Sequence, residues 1–150
     1  MKKAAAVLKE FGVDYCSYVL SAHRSGELLR QRLQEAEAAG CEVIIAGAGL
    51  AAHLPGVIAS MTVLPVIGVP LECISGGSNG LGGMDALLSI VQMPKQIPVA
   101  TVGIRNAANA AYLAVEILGI KYPELRTQLL EFRKKLMEEA AANGGSGVEL

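Results

Sequence analysis

Apolar positions along this chain recur at two spacings, one helical and one strand-like, and the two alternate. In residues 2–11, Ala5, Leu8 and Phe11 share one helical face, and Gly12 follows as a stop. Residues 14–20 (DYCSYVL) read as a strand. A helix is predicted over 26–39, with Ser25 in the cap position, Glu27 in the first turn and Gly40 past the end. From Val43 to Leu71 there is no Asp, Glu, Lys or Arg. That is long enough to span a bilayer. Pro55, Pro65, Pro70 and several glycines interrupt it, however, and it divides into a strand at 42–46, a short helix at 55–61 and a strand at 65–69. A glycine-rich loop at 75–83 precedes a helix over 84–92. A strand at 98–103 and a helix at 106–118, ended by Gly119, come next. The last predicted helix, 123–142, carries Leu125, Leu129, Phe132 and Leu136 on one stripe.

Strands alternating with helices predict an α/β fold: a parallel sheet covered on both faces. One domain is expected over 1–140, with a disordered tail over 141–150. No internal repeat is visible. The chain opens with a helix, so the sheet lacks the strand that should feed it: either the fold starts with a helix, or an N-terminal strand is missing from this sequence. A final helix after the last sheet unit often lies outside the sandwich, so the 123–142 stripe is expected to contact another chain.

Composition narrows the partners. The chain has 150 residues and a net charge of −1, so no field favours nucleic acid or an acidic membrane. The three cysteines are odd in number and share no CxxC spacing, which argues for a reducing, cytoplasmic compartment and against a disulfide framework or a zinc site. No targeting segment is read at the N-terminus, because Lys9 and Glu10 cut its apolar stretch short.

The chain has two histidines, and each follows a strand-like run. His23 lies in Ser21-Ala22-His23-Arg24, and His53 in Gly47-Ala48-Gly49-Leu50-Ala51-Ala52-His53-Leu54-Pro55-Gly56. Loops at the carboxyl ends of parallel strands are where open α/β sheets bind ligands, and histidine moves protons near neutral pH. Together the loops would offer a proton carrier, a fixed cation and backbone N–H groups, which suits a small anionic substrate. Each residue also has a plainer reading. His53 alone is more often a structural histidine, His23 and Arg24 a solvated pair, and Ser21 a turn cap. The 75–83 loop reads as a lid or as a linker. Gly47–Ala52 fits G-x-G-x-x-A, and Glu72 lies near where a ribose-binding acid would be expected, but a dinucleotide-binding helix would start at the second glycine and Pro55 would clash within its second turn. Two histidines without paired Cys or Glu disfavour a metal site.

Taken in order, SAHR at 21–24, AGAGLAAHLPG at 46–56, LPVIGVP at 64–70, SIVQMP at 89–94, IPVATV at 97–102 and NAANAA at 106–111 resemble the PurE family. The similarity runs to about residue 140. The SAHR and AAHLPG forms resemble the bacterial, class I type. The resemblance implies a flavodoxin-like three-layer α/β sandwich, a homo-octamer whose last helix reaches across subunits, and no metal or organic cofactor. It implies an N5-carboxyaminoimidazole ribonucleotide mutase reaction of purine biosynthesis, in which a carboxylate moves from an exocyclic nitrogen to ring carbon C4. On this resemblance His23 is the proton carrier, Ser21 and Arg24 hold the phosphate, and Gly49, His53, Leu54 and Pro55 surround the base and carboxylate.

The chain also departs from the family pattern. The family's first strand and its GSxSD-like phosphate loop are expected before the first helix, and here Met1 starts inside that helix. Ser25-Gly26 replaces threonine-proline, Leu50 replaces a glycine, and the segment 71–84 is longer and richer in glycine. Two other readings stay open: an aminoimidazole ribonucleotide carboxylase using CO2 directly, and an inactive truncated paralogue that binds nucleotide or co-assembles.

Overall fold

The computed structural model describes residues 1–73 and 81–144, Asn143 by its backbone alone. The helices are α1 (Lys2–Glu10), α2 (Gly26–Ala38), α3 (Leu54–Ala59), α4 (Met84–Val91), α5 (Ala107–Lys121) and α6 (Pro123–Gly144). The strands are β1 (Ile44–Gly49), β2 (Val66–Leu71) and β3 (Ala100–Thr101). They form one parallel sheet in the order β1-β2-β3, with Ile45 opposite Ile67 and Gly68 opposite Thr101. The strand alternation decides which helices lie on which face. Ile67 and Val69 point into a cluster with Val7 and Phe11 of the α1 end, Val115 of α5 and Leu125 of α6. Ala46 and Val66 point the other way, against Leu29 and Leu33 of α2 and Ile58 of α3. The result is a three-layer α/β sandwich. β2, covered on both faces, is buried at every residue but its last.

Glycine ends the first two helices as the sequence predicts. Gly12 (φ +66°) and Gly40 (φ +87°) take the left-handed conformation just beyond α1 and α2. Their neighbours Val13 and Cys41 donate back to Leu8 and Ala36. The charge-free stretch 43–71 becomes β1, α3 and β2. Among the described residues no helix is long and apolar enough to cross a membrane.

Three local expectations are corrected. Residues 14–20 are in no ladder, and Tyr15, Tyr18 and Val19 are exposed. Side-chain pattern supplies strand propensity, but only a neighbouring strand supplies the hydrogen bonds, and among the described residues 14–20 has none. Gly119 does not end its helix. It lies buried inside α5, facing the Arg126 backbone at the start of α6, where an added Cβ would make ordinary contact at 3.4 Å from the nitrogen. The stripe on α6 divides in two: Leu125 and Leu129 are buried in this chain's own core, whereas Leu136 is exposed. Residues 141–144 continue α6, and 145–150 of the expected tail lie outside the described residues, as do 74–80 of the glycine-rich loop.

Candidate active site

Parallel strands bring their carboxyl ends to one edge of the sheet, and β1 delivers its loop there. β1 ends at Gly49; Leu50 turns the chain in the left-handed conformation (φ +55°), and Ala52 N–H donates to Gly49 O at 3.1 Å. Proline stands in the first turn of α3, so the helix begins at Leu54 and not at the second glycine. That places His53 at its N-cap position, on the outside of the loop.

The other loop is a closed turn. Ser25 N–H donates to Ser21 O at 2.9 Å, and the Ser25 hydroxyl donates to the same carbonyl at 2.9 Å. The hydroxyl oxygen in turn accepts the Ser21 N–H at 3.0 Å, and Ser21 Oγ accepts the Arg24 N–H at 3.3 Å. Ser25 stands at the N-cap of α2 but makes no cap bond: its hydroxyl is committed backward to Ser21. The turn holds His23 and Arg24 outward, both exposed.

The two turns meet through their histidines. His23 Nε2 and His53 Nδ1 are 2.8 Å apart, with the rings edge to face at 79° and centroids 5.0 Å apart. Ser21, His23 and Arg24 therefore share one turn, Gly49 and His53 share one loop, and the imidazole contact joins the two. Leu54 is half-buried beside His53, packed against the α2–α3 cluster. Pro55 is fully buried, so it shapes the loop from behind and presents no surface to a ligand. A cleft of about 620 Å³ lies elsewhere, between α5 and α6, and is lined by Tyr112 and Phe132 but by none of these residues.

The same sheet edge carries a pair of which the sequence reading named only Glu72, and not its partner Arg105. Glu72, just after β2, accepts from Arg105 Nη1 at 3.0 Å. Arg105 is itself left-handed (φ +60°), and its backbone N–H donates to Pro70 O at 2.8 Å. The signal was present: an acidic and a basic residue, each at the end of a strand-like run. Glu72 fitted the place of a ribose-binding acid in the dinucleotide reading, and the structure gives it to Arg105.

A protein-family model described as AIR carboxylase matches residues 1–139. The chain belongs to that family. Within it, the chain is similar to the N5-carboxyaminoimidazole ribonucleotide mutase of Pyrococcus horikoshii, at 59% identity over 91% of this chain and 74% of the relative. It is 55% identical to the mutase of Saccharolobus solfataricus, over 93% of this chain and 85% of the relative. It also matches the phosphoribosylaminoimidazole carboxylase of Vigna aconitifolia at 45% identity, over 96% of this chain but 25% of that one. The solved structure of Treponema denticola PurE superposes with a TM-score of 0.76 at 27% identity, covering 94% of this chain and 87% of that one. The AIR carboxylase family thus accounts for the sandwich and for the order of motifs along it.

Proposed function

We propose that this chain is an N5-carboxyaminoimidazole ribonucleotide mutase, an isomerase of purine biosynthesis that moves the carboxylate from the exocyclic nitrogen to C4. The observation that carries the reading is the meeting of the turn before α2 and the loop after β1 at His23 and His53 (2.8 Å) in a chain 59% identical to such a mutase. The chemistry needs a group that first gives and then takes a proton. Protonation of the exocyclic nitrogen breaks its bond to the carboxylate and releases CO2. The nitrogen lone pair then drives C4 onto the CO2 carbon, and the proton left on C4 returns to the donor. One imidazole, His23, serves both steps, and the balance closes without an oxidant or a co-reactant. Ser21 and Arg24, on the same turn, hold the ribonucleotide phosphate. Gly49, His53 and Leu54 border the base and carboxylate, with Pro55 behind them.

Retaining CO2 requires an enclosed site that excludes water. His23 and His53 are both exposed in the single chain, which supports a working form in which another copy covers them. A homo-octamer is the assembly proposed, and α6, with Leu130, Leu136 and Met137 exposed, is its contact helix. The compartment proposed is the cytoplasm, supported by three free cysteines.

The test is a direct assay of the purified chain with N5-carboxyaminoimidazole ribonucleotide, without ATP, following the C4-carboxylated product. Turnover is expected, and in His23→Asn turnover is expected to vanish while the substrate still binds in a calorimeter. Product formed only from aminoimidazole ribonucleotide and bicarbonate would replace the mutase with a carboxylase. A folded oligomer inactive on both would overturn the enzymatic reading and leave a paralogue that binds nucleotide or co-assembles.

A further inference from the structure

We infer that Leu50 is an apolar wall that keeps CO2 over the reacting ring. The inference rests on the mutase reading. At the carboxyl edge of the sheet two residues other than glycine are left-handed, Leu50 (φ +55°) and Arg105 (φ +60°). That conformation crowds Cβ against the backbone, so an L side chain is strained there and persists only where something compensates. Arg105 has its compensation within the chain: its guanidinium donates to Glu72 and its backbone N–H to Pro70 O. Leu50 has no such contact. Its side chain is 37% exposed, and among the described residues it belongs to no core cluster. The turn does not need a leucine either. It is closed by backbone, from Ala52 N–H to Gly49 O at 3.1 Å, and a glycine would make it without strain. What leucine adds is a side chain at this spot.

The loop has no other to offer. From Ala46 to Ala52 every residue except Leu50 is alanine or glycine, so its remaining side chains are hydrogens and methyl groups. Gly49 has no room to grow, since a Cβ there would stand 3.0 Å from Leu71 O. Ala52 is committed to the core, packed with Ala86 and Ile90 of α4. Leu50 directly follows the glycine that borders the carboxylate and precedes His53 by three residues. The proposed chemistry has a use for its isobutyl group. When the exocyclic nitrogen takes a proton from His23, its bond to the carboxylate breaks and leaves aminoimidazole ribonucleotide and CO2. CO2 carries no charge and accepts only weak hydrogen bonds, so backbone N–H groups that held the carboxylate lose their grip on it. It stays over C4 when an apolar surface blocks its way out and keeps water from its way in. Leu50 is the part of that surface which this loop supplies.

The test follows the carboxylate carbon. N5-carboxyaminoimidazole ribonucleotide labelled with 13C in the carboxylate is converted by excess enzyme in unlabelled bicarbonate. The ratio of label escaping as CO2 to label arriving at C4 is measured against an enzyme-free blank. In Leu50→Gly the ratio is expected to rise about tenfold. The melting temperature is expected to stay close to that of the parent, because relief of the left-handed strain offsets the added freedom of the unfolded chain. Leu50→Ala keeps Cβ and the strain but loses the isobutyl group, and is expected to leak as Leu50→Gly does. An unchanged ratio in both variants, with or without a loss of stability, overturns the inference. So does a raised ratio that comes with a lower mass in the ultracentrifuge, which would make Leu50 a contact between copies. A parent chain that delivers no label to C4 sinks the mutase reading instead, and the inference with it.

Discussion

Gly68 shows how one missing side chain sets the floor of the site. It lies mid-strand in β2, opposite Ala46 on one side and Thr101 on the other. A Cβ there would overlap Cγ2 of Ile90, stand 3.0 Å from Val99 Cγ1 and touch Pro55. Ile90 is almost fully buried, so it has nowhere to withdraw. Gly68→Ala is therefore expected to destabilise the fold by about 1–3 kcal/mol through overpacking. Pro55 is the second residue of α3, directly behind His53, so the same push displaces the loop. Turnover is expected to fall with stability. Thermal melts beside the mutase assay check this, and a variant as stable and as active as the parent would show that α4 can shift without cost. Nothing in the sequence marks Gly68 as different from its neighbours, because the feature that matters is the approach of α4, an element beyond the end of its own strand.

At the scale of elements, what the sequence made legible and what it hid divide along one line. Most local signals survived: short apolar runs divided by proline and glycine placed β1 and β2, glycines ended α1 and α2, and Pro55 fixed the start of α3; the exception is Ser25, whose hydroxyl turns back to Ser21 where a helix cap was expected. Where the outcome depended on a second element, the local signal was insufficient. Residues 14–20 carry strand propensity but find no ladder, and Gly119 faces the start of α6 from inside α5 and does not terminate a helix. The site divides the same way. His53 was legible as a residue of the loop after β1, and His23 as a loop residue although the strand expected before it is absent; their 2.8 Å contact and the Glu72–Arg105 pair exist only through the fold. A contact of this kind also ties β1 to α5. Glu42, just before β1, accepts from Lys121 Nζ at 2.5 Å and from the Tyr122 hydroxyl at 2.8 Å. The Lys121 bond, then the Tyr122 bond, hold the Glu42 carboxyl below its ordinary range, and the Glu42 bond raises Lys121. A depressed carboxylate contributes stability above its unfolded pKa and loses it as pH falls. The raised lysine contributes below its unfolded pKa and loses it as pH rises through the folded one. The tie is thus complete near neutrality and fails first on the acid side. The melting temperature of Glu42→Gln is expected to lie below that of the parent at neutral pH and to converge with it as pH falls through the carboxylate range. The difference is expected to be small, because Lys121 is largely exposed and salt screens the pair. A gap that persists unchanged into acid would assign the stability to Tyr122 packing instead.

At the scale of the whole molecule, the chain presents two incomplete surfaces, and one assembly would account for both. The histidine pair is open, while the proposed chemistry requires enclosure. Along α6, three apolar side chains are uncovered, Leu130 63%, Leu136 47% and Met137 68% exposed, between charged neighbours. Leu125 and Leu129, on the first turns of the same helix, are already in the core, so the helix is anchored by one end and presents the other. Covering a side chain of this size is worth about 1.5–3 kcal/mol, and in a symmetric assembly each replacement removes that contribution once per copy. Leu136→Glu with Met137→Glu is therefore expected to break the assembly while leaving the fold intact, since neither residue packs in the cores described. In the ultracentrifuge the parent is expected at about eight times the 15.6 kDa of one chain, and the double variant at a lower mass with unchanged far-ultraviolet dichroism. If enclosure by neighbours is what retains CO2, the dissociated variant loses turnover and releases CO2 and aminoimidazole ribonucleotide from its substrate. Full mutase turnover by a monomer would show that the single chain closes its own site, and the exposed half of α6 would then need another explanation.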